Sequence, residues 1–295
     1  MTRSRSGEAS SRRFSQRRNL EIISVFHHPR FRDRVSAVPE RWRFRNRFIS
    51  AFYGRHFMKF KIPYYAQSAE FTCGPACVLM IFKLFNPHLK LNRTLEFEVW
   101  RQCNMIGVRG ADPFGMSVPL LDAGYEVRLA TQRKRMIDPD LWRRRLREHS
   151  FTLEEVSLAV FGIAENRKRA LGRGLTVEYR RLTVERVARS FSEGFIPIAL
   201  VHMGVVHQLD IPHWVVVTDV GEDHVAFNDP YPPKGGKGIR VSREKFQKML
   251  DDVGTRIGLS PSAIFIRNCN PAKKQTSNTQ LYLGGSYQIV NKEVG

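Results

Sequence analysis

From Lys59 onward the apolar and polar positions fall into recognisable blocks. Residues 59–65 alternate around Pro63, which predicts a short edge strand, because an edge position tolerates the missing N–H. Residues 73–85 form a nearly continuous apolar run with Pro75 in the first turn and Asn86-Pro87 at the end, the signature of a buried helix. Further helices are expected over 95–105 and over 113–123, the latter ended by Gly124, with a strand over 125–130. Residues 133–175 are basic and helix-leaning and carry the clusters Arg133-Lys134-Arg135 and Arg143-Arg144-Arg145.

The second half changes character. A strand is expected over 176–181 and a helix over 184–193, closed by Gly194. Segments 196–202, 214–220 and 224–228 are rich in β-branched residues and read as strands, the last two joined as a hairpin by Gly221-Glu222-Asp223. A Pro/Gly loop over 231–238, a helix over 242–253 and a strand over 263–267 complete the pattern, and the tail from 268 is polar. Helices first and an antiparallel sheet afterwards predict an α+β fold.

Composition bounds the rest. The 295 residues are 42% hydrophobic, enough for a sizeable core. The longest apolar run, 195–206, contains His202 and is too short to span a bilayer, so no membrane insertion is expected. The first twenty residues are rich in Arg and Ser and lack the apolar stretch of a secretory signal. Four cysteines then read as reduced thiols, and the expected location is the cytoplasm. The formal charge is +20, and half of it lies in residues 1–57, which hold fourteen Arg, no Lys and four acidic residues. That segment reads as a nucleic-acid-binding arm, as an organellar transit peptide, or as sequence upstream of a true start at Met58. The charge therefore does not by itself assign a nucleic-acid partner. The domain boundaries expected are a basic extension over 1–57, a globular domain over 58–267 with a basic helical insert at about 133–175, and a tail over 268–295.

Cys73 stands at the start of an apolar helix, where the dipole and unpaired N–H groups favour a thiolate. A cysteine nucleophile needs a base and a group to orient it. His213 leads into the strand Trp214-Val215-Val216-Val217, and Asp229 closes the next strand in Asn228-Asp229-Pro230. In a hairpin turning at 221–223 both fall at the open end, so imidazole and carboxylate can meet. Asn228 is the alternative orienting group. Gln67, six residues before Cys73, can present its amide as an oxyanion donor beside the Cys73 N–H. A zinc site built on Cys73, Cys77 and Cys103 with a histidine competes, but no second tightly spaced ligand pair exists, so no metal and no cofactor are expected. His202 and His207 read as bystanders, and Asp112-Pro113 as a helix cap.

The run Gln67-Ser68-Ala69-Glu70-Phe71-Thr72-Cys73-Gly74-Pro75-Ala76-Cys77, with His213-Trp214-Val215-Val216-Val217 and Asn228-Asp229-Pro230, resembles the C39-type cysteine peptidases of the papain-like superfamily, and the free-standing prokaryotic members most closely. The resemblance covers about residues 58–267. It implies a papain-like α+β fold with N-terminal helices packed on a C-terminal antiparallel sheet. It also implies hydrolysis of a peptide or isopeptide bond with Cys73 as nucleophile, His213 as base, Asp229 as orienting group and Gln67 in the oxyanion hole. The best-known members cleave double-glycine leaders inside ATP-driven exporters, but this chain shows neither a membrane domain nor an ATPase, so that substrate is not carried over. The same thioester chemistry serves amidases and acyl transferases, and a non-catalytic peptide-binding domain is the remaining alternative. The partner expected is a peptide or protein substrate. Oligomeric state and the placement of the 133–175 insert, over the cleft or elsewhere, stay open.

Overall fold

The computed structural model describes residues 60–105, 107–138, 140–142 and 152–269. The basic extension, Lys59, the cluster Arg143-Arg144-Arg145 and the tail beyond Cys269 lie outside the described residues.

Three helices come first: α1 (Cys73–Phe85), α2 (Arg93–Cys103) and α3 (Pro113–Asp122). After them come β1 (Glu126–Thr131), α4 (Leu153–Gly172), β2 (Thr176–Tyr179), α5 (Val184–Ser192) and β3 (Ile196–His202). A single helical turn, α6 (Gly204–His207), leads into β4 (Pro212–Val220), β5 (His224–Asp229) and β6 (Gly236–Ser242). The chain ends in α7 (Arg243–Asp252), a π turn (Val253–Ile257) and β7 (Ser262–Arg267). The starts are written in the sequence. Asn92, Asp112, Thr152, Thr183 and Ser242 each accept a backbone N–H from the first turn of the helix that follows, and Thr152 with Glu155 forms a full capping box. Helix α1 differs: Thr72 makes no side-chain cap and bonds instead to Ala69.

The seven strands form one sheet in the order β2-β1-β7-β3-β4-β5-β6. All neighbours are antiparallel except β1 and β2. Strand β3 is buried along its whole length, because helices cover both faces. One face packs Trp214, Val216 and Ile264 against Cys77, Leu79 and Ile81 of α1 and residues of α2 to α4. The other packs Val215, Val217 and Phe227 against Phe191 of α5 and Phe246, Met249 and Leu250 of α7. Each such fully buried side chain contributes on the order of 1.5–3 kcal/mol. This is the expected α+β architecture. No described helix is long and apolar enough to cross a membrane.

The structure corrects the expected elements in four places. Residues 60–65 form no strand. Pro63 lacks a donor, and the Ile62 and Pro63 carbonyls are met by the Asn228 side chain at 3.4 and 3.5 Å rather than by a ladder. The supposed loop 231–238 ends in β6, whose exposed, charged edge hides the strand pattern. The sheet includes one parallel pair, because α4 carries the chain back to place β2 beside β1. The basic insert is not helical throughout: residues 133–135 lie in an irregular segment closed by an Arg133–Asp138 ion pair at 3.1 Å. Its main helix, α4, packs on α3, with Asn166 Nδ2 donating to Asp112 Oδ2 at 2.6 Å.

Candidate active site

Cys73 is the first residue of α1, and the start of that helix lies against β4, with Trp214 beside Gly74 and His213 bonded to the Cys73 thiol. The close approach depends on Gly74: a Cβ there would lie 2.8 Å from Ala111 Cβ and 2.8 Å from Met116 Sδ. Burial pushes the Cys73 thiol up, but the His213 charge, a hydrogen bond to His213 and backbone donors at Trp214 and Gly74 together bring it below the ordinary thiol value. Cys77 and Cys103, equally buried, are pushed well up. The Cys77 thiol donates to the Trp214 carbonyl at 3.3 Å. Among the described residues no group of three or more His, Cys, Asp or Glu is placed to hold a metal ion.

Strands β4 and β5 pair Val216 with Asn228. Continuing that register sets Asp229 opposite Val215, so His213 is its diagonal neighbour on the same face. His213 Nε2 lies 2.7 Å from Asp229 Oδ1. A carboxylate only accepts, so this nitrogen carries the proton and Nδ1 is left for the Cys73 thiol. Burial pulls the imidazole down, but the Cys73 charge and the Asp229 hydrogen bond outweigh it and raise His213 to about 9. Asp229 is held below its ordinary value. Burial opposes this, but the His213 bond and charge, the Tyr231 N–H and His207 prevail. The arrangement favours a thiolate–imidazolium pair backed by a carboxylate, able to attack an electrophilic carbonyl and to return a proton to a leaving group.

Asn228 takes no part. Strand alternation turns it to the α1 face, where its Nδ2 meets Ile62 O and Met80 Sδ, and its Oδ1 accepts from Gly238 N–H at 3.0 Å. Gln67 is brought to the site by its backbone: its N–H donates to Pro230 O at 2.8 Å, beside Asp229. Its amide is committed to the loop that delivers Cys73, with Nε2 donating to Ala69 O at 2.9 Å and Glu70 O at 3.2 Å, while Oε1 is buried without a partner. Asp112 is a cap, accepting from Phe114 and Gly115 N–H, and burial raises its carboxyl to about 7. His202 pairs with Asp210 at 2.8 Å.

His207 is the residue whose reading changes. Its Nε2 lies 2.6 Å from Asp229 Oδ2, so it is no bystander. The sequence offers only a weak signal for it, the short connection 203–211 between β3 and β4, which does not say which of its residues turns to Asp229. A tight turn after Asp229 completes the enclosure. Gly235 N–H donates to Tyr231 O at 2.6 Å, and a Cβ on Gly235 would sit 2.3 Å from that oxygen and 2.5 Å from Asp229 O.

A family model described as Peptidase_C39 like family matches residues 62–254. Among solved structures, the peptidase domain of Streptococcus ComA, a bi-functional ABC transporter involved in a quorum-sensing pathway, is 15% identical with a TM-score of 0.32, over 72% of this chain and 98% of that one. A protein from Bacillus anthracis described as a C39-like peptidase is 12% identical with a TM-score of 0.36, over 70% of this chain and 95% of that one. No curated protein matches the chain. With well over half of its length matched by that one model, the chain belongs to the Peptidase_C39 like family.

Proposed function

We propose that this protein is a cysteine peptidase that cleaves a peptide or isopeptide bond of a peptide or protein substrate through Cys73, His213 and Asp229. The observation that carries this reading is geometric: Cys73 opens helix α1 with its thiol bonded to His213, whose Nε2 lies 2.7 Å from Asp229 Oδ1, and that contact pulls this thiol down while burial pushes Cys77 and Cys103 up.

The Cys73 thiolate attacks the carbonyl carbon, and the carbonyl π electrons move to oxygen. That oxyanion is met by the Cys73 N–H, for which the helix itself provides no acceptor, and by the Gln67 amide. An oxyanion is a stronger acceptor than the Ala69 and Glu70 carbonyls that Gln67 serves in the free protein, so it competes for that N–H. Collapse of the intermediate breaks the C–N bond as the His213 imidazolium protonates the leaving amine. A thioester on Cys73 remains. His213, now neutral, takes a proton from water as it attacks, and the thiolate leaves. Asp229 holds His213 in the tautomer these transfers need. The free thiols at Cys73, Cys77 and Cys103 support a reducing compartment such as the cytoplasm. We take 58–267 as the catalytic domain.

The test is proteolysis of casein and of a quenched fluorescent peptide library by the full chain and by Cys73→Ala. Cleavage by the native protein should fall by at least about 10⁴-fold in the variant at an unchanged melting temperature, since loss of a nucleophile removes the covalent route. Cleavage that survives the substitution would end this reading.

A further inference from the structure

We propose that His207 is a second histidine of the site: a positioning residue that holds the far oxygen of Asp229, so that the near oxygen stays fixed on His213. This rests on the Cys73–His213–Asp229 reading above and adds a fourth side chain to it.

The geometry is a carboxylate clamped from both ends. Asp229 is fully buried. Its Oδ1 receives His213 Nε2 at 2.7 Å and the Tyr231 N–H at 2.9 Å, and its Oδ2 receives His207 Nε2 at 2.6 Å. A carboxylate has no proton to offer, so His207 must donate from Nε2, as His213 does. Without that donor, Oδ2 is a buried oxygen with no partner in place, and rotation of the carboxyl about its Cβ–Cγ bond is no longer resisted from that side. A rotated Asp229 no longer fixes the His213 ring against the thiol.

His207 is itself built in. It ends the single turn α6, its N–H donates to Met203 O at 2.9 Å, and the following Gln208 takes the left-handed conformation at φ 59°, which reverses the chain toward β4. Lys234 Nζ donates to the His207 carbonyl at 3.3 Å. The Tyr231 ring lies 6.0 Å from the His207 ring and 6.2 Å from the His213 ring, walling the two imidazoles on one side. Among the described residues, the titratable and charged groups against this cluster are Asp229 from β5, His213 from β4, Cys73 and Cys77 from α1, Tyr231 and Lys234 from the loop after β5, and Tyr64. The Tyr64 hydroxyl is pushed up by burial and then by the Asp229 charge.

The direction of the effect follows. A hydrogen bond to the charged form of a carboxyl favours that form. Removing the His207 donor therefore makes Asp229 easier to protonate, and a neutral Asp229 no longer supports the imidazolium. The acid limb of Cys73 reactivity moves to higher pH. A residue that only props the fold would change the folded fraction and leave that limb where it was.

The experiment is the rate of Cys73 modification by iodoacetamide against pH, followed by peptide mass spectrometry on the full chain, for the native protein, His207→Leu and His207→Gln. Gln keeps an N–H donor of similar reach, whereas Leu keeps bulk only. The acid limb should move up by about one pH unit in His207→Leu, which is about tenfold slower labelling on that limb. His207→Gln should recover most of the loss. A native low-pH limb that does not move in folded His207→Leu overturns this proposal alone, whereas a native profile like that of a free thiol overturns the catalytic reading with it. A second measurement needs no variant. The ¹H–¹⁵N imidazole spectrum of the native protein should show a hydrogen-bonded proton on His207 Nε2, and a proton on Nδ1 only would overturn the proposal.

Discussion

Asp229→Asn should reduce proteolysis by on the order of 10³–10⁴-fold, although it changes one atom and almost no volume. The reason is a count of donors and acceptors. Three N–H groups converge on this side chain, from His213, His207 and Tyr231. A carboxylate accepts all three. An amide has one oxygen to accept with, and its NH₂ must face at least one imidazole nitrogen. That imidazole has to present a lone pair there and carry its proton on Nδ1. If the ring is His213, the base points a proton at the thiol it should deprotonate. If it is His207, that ring turns from donor to acceptor, and the charge that two donors held on the carboxylate is gone. The stability cost should be about 1–3 kcal/mol, the penalty of leaving a buried donor unmet. Steady-state cleavage and thermal melting on the same preparation separate the two effects. Activity within tenfold of native would show that the carboxylate charge of Asp229 is not needed to orient the base.

The pH dependence of cleavage should be a broad bell. Cys73 titrates below its usual value and His213 above, at about 9, so the charged pair exists between the two. Activity rises as the thiol ionises on the acid side and falls as His213 loses its proton near pH 9. Stability follows the same groups with definite signs. His213 is raised on folding from 6.5, so its contribution is complete below that value and is lost as pH climbs through about 9. Asp229 is lowered on folding from 3.8, so its contribution is present above that value and is lost as pH falls through its depressed titration. Cleavage rates measured from pH 5 to pH 10 check the first statement, and melting temperature over the same range checks the alkaline half of the second. An alkaline limb close to 6.5 would mean that His213 lies outside the influence of Cys73 and Asp229.

Much of this was legible in the sequence because it is local. The α1 boundaries follow from Pro75 and Asn86-Pro87, and the structure returns Cys73–Phe85. The β4–β5 hairpin follows from β-branched runs around Gly221, but the register that puts Asp229 on the His213 face includes a one-residue irregularity between Val217 and Asp219 that those runs do not reveal. The choice between Asn228 and Asp229 needed the face each occupies, which the pleat decides once the strand is in place. The misses are tertiary. Strand β6 has an exposed alternation that no core demands, and residues 60–65 alternate without finding a ladder. His207 could not be placed without knowing that 204–207 coil into one turn beside β5. The Gln67 amide was expected beside the Cys73 N–H as an oxyanion donor, and its bonds to Ala69 and Glu70 in the free protein are contacts within the loop that spacing alone does not specify.

The most direct test of the central claim, a Cys73 thiolate held by the His213 imidazolium, is the iodoacetamide rate at Cys73 at about pH 6 in the native protein and in His213→Ala. A thiol of ordinary pKa near 8.5 is less than about 1% ionised there. The account predicts fast labelling of the native protein and labelling roughly two orders of magnitude slower in the variant, with both rising to similar rates above about pH 9. Equal, slow labelling of both proteins at pH 6 would contradict it.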